Sequence, residues 1–312
     1  MSVYLGIDIG GTAVKIGLVD ENNRILCSET RSVNFDGYQT PIMTTVIALA
    51  REMLAQAPEQ PVGIGVSATG QIDVHTGTVI GVGANFGDWL GCGIRTLLED
   101  AFSLPVTVIN DANAAALGEQ TCGSARGKSN VLVVTIGTGV GGGIIENGRL
   151  IQGVRGIGGE IGHYSIRFDG EPCPCGSRGC FERYASTGAL VRTFTGDPEL
   201  LDVLGVHPED VNGKVIFEHL DHPAVFAAVD RWMDHIAYGI TGLVHIFNPE
   251  IVLIGGGISR EEDRFIRPLR EKILSRVMPR FGEVLEVEAA GLGNNAGLLG
   301  ACAYLRSVYP DL

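Results

Sequence analysis

YLGIDIGGTAVKIGLVD at residues 4–20 and VLVVTIGTGVGGGIIENGRL at residues 131–150 are the two stretches whose reading decides the fold. In the first, an apolar run over residues 3–7 ends in Asp8-Ile9-Gly10-Gly11-Thr12, and a second apolar run follows. Laid without gaps, Asp8-Ile9-Gly10 falls on Thr135-Ile136-Gly137, and Val19-Asp20 on Glu146-Asn147. Each stretch reads as a strand, a tight Gly/Thr turn and a returning strand. Glycine lets backbone N–H groups approach an anion closely, and threonine adds a hydroxyl donor. One such hairpin in each half of the chain predicts a polyphosphate held between them.

Working outward, the 312 residues predict two domains, each large enough for its own core. The 45 glycines are about twice the usual share of ~7%. They cluster at 137–143, 153–162 and 255–257, which points to ligand loops rather than to disorder. A net charge of −13 argues against nucleic acid as a partner, because affinity for it comes from clustered Lys and Arg. No apolar run reaches the ~18–20 residues that cross a bilayer. The chain enters a strand at once, with no signal-peptide pattern. The expectation is a soluble, cytoplasmic protein with no membrane partner.

Of seven cysteines, Cys27, Cys92, Cys122 and Cys302 are scattered and read as free thiols. The other three lie in Glu171-Pro-Cys173-Pro-Cys175-Gly-Ser-Arg-Gly-Cys180-Phe-Glu182, with Glu160-Ile-Gly-His163 upstream. One histidine and three cysteines in a Gly/Pro-rich loop match a closed tetrahedral zinc site of His163, Cys173, Cys175 and Cys180. Four protein ligands leave no open position, so this zinc is expected to be structural.

The remaining pattern alternates. A third strand is expected over 24–30. Thr40-Pro41 reads as an N-cap with proline at the first helical position, opening a helix to about residue 55. Strands are expected over 62–66 and 106–109, and a helix over 93–102. Asn110-Asp111-Ala112-Asn113 then starts a helix towards Gly118. After residue 130 the order recurs, with a long helix over 223–247, strands over 251–254 and 284–288, a helix to about 276 and a last one over 294–306.

These motifs together resemble the bacterial sugar kinases of the ROK group. The resemblance covers nearly the whole chain and rests on Asp8-Ile-Gly-Gly-Thr12, Asn110-Asp111-Ala-Asn113, Gly137-Thr-Gly-Val-Gly141, Glu160-Ile-Gly-His163, the loop Cys173-x-Cys175-Gly-x-x-Gly-Cys180-x-Glu182, and Gly255-Gly-Gly257. It implies an α/β, two-lobed actin-like ATPase (ribonuclease H-like) fold with a duplicated βββαβαβα core. Residues 1–118 would form a small lobe, with the last helix, about 298–312, packing back on it. Residues 119–297 would form a large lobe carrying the zinc loop. Two departures, Ala13 where many members have lysine and Ala68-Thr69-Gly70-Gln71 where a Pro-Gly pair is common, bear on the choice of sugar.

The resemblance implies ATP-dependent phosphorylation of a hexose hydroxyl, O6 first, by a phosphotransferase acting on an alcohol. Asp111 would be the general base that accepts the sugar proton. The competing reading of Asp111 is a helix cap. Gly10, Gly11, Thr12, Gly137, Thr138 and Gly139 would donate to phosphates, with Lys15 beside them. Gly255, Gly256 and Gly257 would lie beside the adenosine of ATP. Asp8 would face magnesium through water, since Mg²⁺ keeps much of its hydration. Asn110, Glu160, His163 and Glu182 would read sugar hydroxyls, with Gly70, Asn85 and Asp88 on the rim. Glucose is the expected sugar, because the stretch from Asn110 to Glu119 looks like glucokinase members. N-acetylglucosamine, N-acetylmannosamine, fructose and β-glucosides are alternatives. The other class is a sugar-responsive transcriptional regulator of the same family, disfavoured because only seven residues precede Asp8. A homo-oligomer, dimer or tetramer, is expected.

Overall fold

The computed structural model describes residues 2–83 and 87–312. The first hairpin is β1 (Val3–Ile9) and β2 (Ala13–Asp20), followed by β3 (Ile25–Ser32). Next come α1 (Ile42–Gln56), β4 (Ile64–Ala68), the small hairpin β5 (Gln71–Asp73) and β6 (Thr78–Gly81), α2 (Ile94–Phe102), β7 (Val106–Asn110) and α3 (Asp111–Cys122). The second half opens with β8 (Val131–Ile136), β9 (Val140–Glu146) and β10 (Arg149–Leu150). Short helices α4 (Glu182–Ala185), α5 (Thr187–Thr195), α6 (Pro198–Leu204) and α7 (Gly213–Glu218) precede the long α8 (Pro223–Phe247). The chain finishes with β11 (Ile251–Gly255), α9 (Arg267–Leu274), α10 (Pro279–Gly282), β12 (Glu286–Ala289) and α11 (Ala296–Val308). Among the described residues, no helix is long and apolar enough to cross a membrane.

The duplication is visible in the sheets. The first has the order β3-β2-β1-β4-β7 and the second β10-β9-β8-β11-β12. In each, a hairpin is extended by parallel strands: β1 pairs with β4 and β4 with β7, as β8 pairs with β11 and β11 with β12. The chain separates into two compact units. One comprises residues 1–127, 143–159 and 291–312; the other comprises 128–142 and 160–290.

In the first unit, alternation along β1 and β2 sends Leu5, Ile7, Ile9, Val14 and Ile16 into a core with Ile42, Val46 and Leu49 of α1. Tyr4 and Val19 pack instead with Leu298, Leu299, Cys302 and Leu305 of α11. That helix sits very close to its neighbours. A Cβ on Gly65 would lie 2.3 Å from the Ala301 carbonyl, and one on Gly300 would lie 1.7 Å from the Ala114 carbonyl. Only glycine allows both approaches. In the second unit, Trp232 of α8 stacks on Phe265 with ring centroids 5.3 Å apart.

Two local expectations are corrected. The cap of α1 is Pro41, with no side-chain capping bond, because the Thr40 hydroxyl donates to Asp36 at 2.7 Å instead. The segment after β11 is not one helix. Residues 257–266 form 3₁₀ and π turns, and the α-helix starts only at Arg267, where Pro268 needs no N–H acceptor.

Candidate active site

Strand β7 ends at Asn110 and α3 begins at Asp111. Asn110 is the N-cap: its Oδ1 accepts the N–H groups of Ala112 and Asn113 at 2.9 and 3.2 Å. Its amide nitrogen donates to the Gly70 carbonyl and to Asp111 Oδ1, both at 3.0 Å. The Ala112 N–H also reaches Asp111 Oδ1, at 2.8 Å. The cap that sequence alone would assign to Asp111 thus falls mainly to Asn110. The Asp111 carboxylate is instead oriented by two donors on one oxygen. Gly70 supports this arrangement from the edge of β5, with φ +97° and a Cβ position 2.7 Å from the Gly81 carbonyl. Asn85 lies outside the described residues, and Asp88 is exposed.

One neighbour in the same motif carries a signal that the sequence reading passed over. Asn113 is 1% exposed, and its amide nitrogen donates to the Gly158 carbonyl at 3.3 Å. Its Oδ1 is buried with no partner among the described residues.

In each Gly/Thr turn the first glycine's amide is bonded within the turn. Gly10 N–H donates to the Ala13 carbonyl at 2.9 Å, and Gly137 N–H to the Gly139 carbonyl at 3.0 Å. These two amides are therefore spent inside the turns, which leaves Gly11, Thr12, Thr138 and Gly139 as the candidate phosphate donors. Asp8 faces Lys15 across the hairpin and Ser67 across the parallel pair. Ser67 Oγ donates to Asp8 Oδ1 at 2.6 Å. Burial pushes the Asp8 carboxyl above the ordinary carboxylate range, and the Ser67 hydroxyl and Lys15 oppose this only in part. A half-buried carboxylate in this condition fits a cation as its counter-charge. Gly297, at the start of α11, approaches so closely that a Cβ there would lie 2.5 Å from Asp8 Oδ1. Lys15 Nζ donates to Asn295 Oδ1 and reaches the Asn294 carbonyl at 3.5 Å, so it is directed at the start of α11.

In the second unit, Gly255 ends β11 and Gly257 begins a 3₁₀ turn. Gly256 between them has φ +101°, and its Cβ position is 2.0 Å from the Ile136 carbonyl. A side chain at 256 would therefore displace the strand that leads into the Gly137 turn.

His163, Cys173, Cys175 and Cys180 form a cluster whose candidate ligand atoms all lie within 4.8 Å of one another. Cys173 Sγ is 3.7 Å from His163 Nδ1, and Cys175 Sγ is 3.6 Å from Cys180 Sγ. A tetrahedral zinc with bonds of roughly 2.0–2.3 Å has edges of about 3.5–3.8 Å, so the donor set fits that ion. Backbone bonds hold the loop: Cys173 N–H to the Ser177 carbonyl at 2.8 Å, and Gly179 N–H to the Glu171 carbonyl at 2.8 Å. Burial pushes the Cys180 thiol up to about 12, whereas the Ser177 backbone N–H, assisted by the neighbouring thiols, holds Cys175 low. Metal binding would therefore release protons.

Glu182 follows this loop and starts α4. Its Oε2 accepts the Val140 N–H at 3.1 Å, and a Cβ on Gly139 would lie 2.3 Å from the same oxygen. Thr187 N–H, at the start of α5, donates to the Gly137 carbonyl at 2.8 Å. The structure thus joins the cysteine loop to the second Gly/Thr turn through Glu182, a contact invisible in the sequence because 42 residues separate the partners. Glu160 is exposed and precedes a 3₁₀ turn, with its carbonyl accepting the His163 N–H at 3.0 Å. Gly70, Asn110 and Asp111 gather in the first unit, as do Asp8 and Lys15. His163, Glu182 and the Gly137–Gly139 turn belong to the second.

The chain matches the ROK family over residues 4–308. It belongs to the ROK family. The glucokinase of Thermotoga maritima is 36% identical over 309 residues, covering 97% of this chain and 96% of that one. The crystal structure of a ROK family glucokinase from Streptomyces griseus in complex with glucose and AMPPNP shares 33% identity, with a TM-score of 0.81, over 98% of this chain and 100% of that one. The xylose repressor of Bacillus subtilis is 29% identical over 99% of this chain and 78% of that one. The fold of this ROK protein is the actin-like ATPase fold of the ROK sugar kinases.

Proposed function

We propose that this protein is an ATP-dependent sugar kinase that phosphorylates the O6 hydroxyl of glucose. The observation that carries the reading is Asp111. It is a carboxylate at a strand–helix junction whose neighbour does the capping, and one of its oxygens is fixed by Asn110 and the Ala112 amide. A sugar hydroxyl is a weak nucleophile until a positioned base takes its proton. In this reading Asp111 accepts the O6 proton as the oxygen attacks the γ-phosphorus and the bond to the β-phosphate oxygen breaks. Fixing the carboxylate beforehand lowers the entropic cost of reaching that geometry.

Gly11, Thr12, Thr138 and Gly139 donate to the phosphates, and Gly255, Gly256 and Gly257 flank the nucleoside. Asp8 is the carboxylate that would hold magnesium through its water shell, and that ion neutralises charge on the transferring phosphates when bound. Asn110, Glu160, His163 and Glu182 read the sugar hydroxyls, with Gly70 placing Asn110. The cluster of His163, Cys173, Cys175 and Cys180 holds a structural zinc that fixes His163 and the loop leading into Glu182. A homo-oligomer in the cytoplasm, where thiols stay reduced, belongs to the same reading.

Glucose is chosen because the relatives named as glucokinases are 36% and 35% identical to this chain over nearly its whole length. The regulator reading is weaker, since the xylose repressor is 29% identical. The test is a panel of glucose, N-acetylglucosamine, N-acetylmannosamine, fructose and a β-glucoside assayed with ATP. The highest kcat/KM is expected for glucose. Preference for an N-acetylated sugar would move the substrate and keep the kinase. Sugar binding without phosphorylation of any of the five would overturn the kinase reading.

A further inference from the structure

A cavity of about 400 Å³ opens in the second unit. Arg167, Arg183, Arg192 and Arg231 line it, with Trp232 also in its wall. Glu171 is the sole carboxylate in that wall. Four guanidinium groups against one carboxylate is unusual in a chain of net charge −13. Like charges gathered in one concavity repel, and the arrangement is stabilised when an anion enters. The nearby acids are already engaged. Glu182 accepts the Val140 amide, and Asp234 bridges Lys272 and Arg276 at 2.8 and 2.6 Å.

Three of the guanidinium groups are held in place. Arg183 donates to Glu171 at 3.0 Å, and Arg192 to the Arg183 carbonyl at 3.0 Å. Arg167 lies over the Tyr184 ring, 5.3 Å from its centroid. Arg183 Nε is buried with no partner among the described residues, so a donor in this wall is left without an acceptor. Preformed, planar guanidinium forks are the side chains best suited to phosphate oxygens.

We infer that this cavity is a second anion site, which binds a small phosphate-bearing metabolite through the four arginines. It does not depend on which sugar the protein phosphorylates. The test titrates the whole chain with inorganic phosphate, without sugar or nucleotide, and follows binding by calorimetry. R192Q/R231Q changes two exposed side chains of the cavity and should leave the fold intact. R267Q/R280Q removes the same charge from exposed positions elsewhere in the unit. Phosphate affinity should fall at least tenfold in the first variant and stay within about twofold in the second, given that charge-assisted bonds are individually strong. Identical titrations for wild type and R192Q/R231Q would overturn the site. An equal loss in both variants would reduce it to general electrostatics and overturn it as well.

Discussion

Asp8 shows how far a single residue can be read. Its place at the end of the first strand was legible, because an acid beside Gly10-Gly11-Thr12 stands out in an apolar run. Its electrostatics were not, since Ser67 and Gly297 reach it from distant parts of the chain. Burial raises the Asp8 pKa. A carboxyl whose folded pKa lies above its unfolded value, about 3.9, contributes stability below that value. The contribution is lost as pH rises through the folded pKa, so at neutral pH the ionised group is a cost. Asp8→Asn keeps an acceptor for Ser67 and removes the charge. Its Tm without nucleotide should exceed that of the wild type at pH 7, and the difference should shrink as the pH is taken below about 4. If Asp8 faces magnesium as proposed, phosphoryl transfer should also fall steeply. Melts across a pH series check the sign, and a variant less stable than wild type at pH 7 would contradict it. Asn110 and Asp111 make the same point. Their motif was visible, but which of the two caps α3 depended on side-chain directions that only the structure supplies.

At the scale of elements, periodic and long segments were legible. The helix expected over 223–247 is α8, Pro223–Phe247. The small β5–β6 hairpin and the short helices α4 to α7 were not anticipated, because runs of 3–9 residues carry too little periodicity. The close packing of α11 was equally hidden, since Gly300 meets α3 through a contact between distant parts of the chain. Gly300→Ala forces a methyl group into the Ala114 carbonyl, and overpacking of this kind costs about 1–3 kcal/mol. Urea unfolding should show a loss of at least that size; an unchanged midpoint would mean that α11 has room to shift. The cysteine loop was legible as a candidate metal site because one histidine and three cysteines fall within a short span. Metal analysis should find about one zinc per chain. Cys175→Ala and chelation should each lower the melting temperature and weaken sugar binding together. A metal-free protein with unchanged stability and sugar affinity would remove zinc from the account.

For the molecule as a whole, the recurring element order and the family resemblance together predict a duplicated core, and the matching strand orders of the two sheets bear this out. The strand order itself lay beyond the sequence, because parallel pairings such as β1 with β4 join segments that no local pattern connects. The same holds for Glu182. It was read only as a sugar ligand, and the structure shows it also bonded to the second Gly/Thr turn. What the molecule does with this frame rests on Asp111. Asp111→Asn preserves size and an acceptor for the Ala112 amide, so the fold should survive. General-base catalysis contributes typically ~10²–10⁴-fold. Steady-state kinetics with ATP and glucose, run beside calorimetric titration of glucose, should therefore show kcat reduced at least ~100-fold with glucose affinity changed far less. An Asn variant that kept more than about a tenth of wild-type kcat, well above the ~10²-fold floor for this mechanism, would show that Asp111 is not the base.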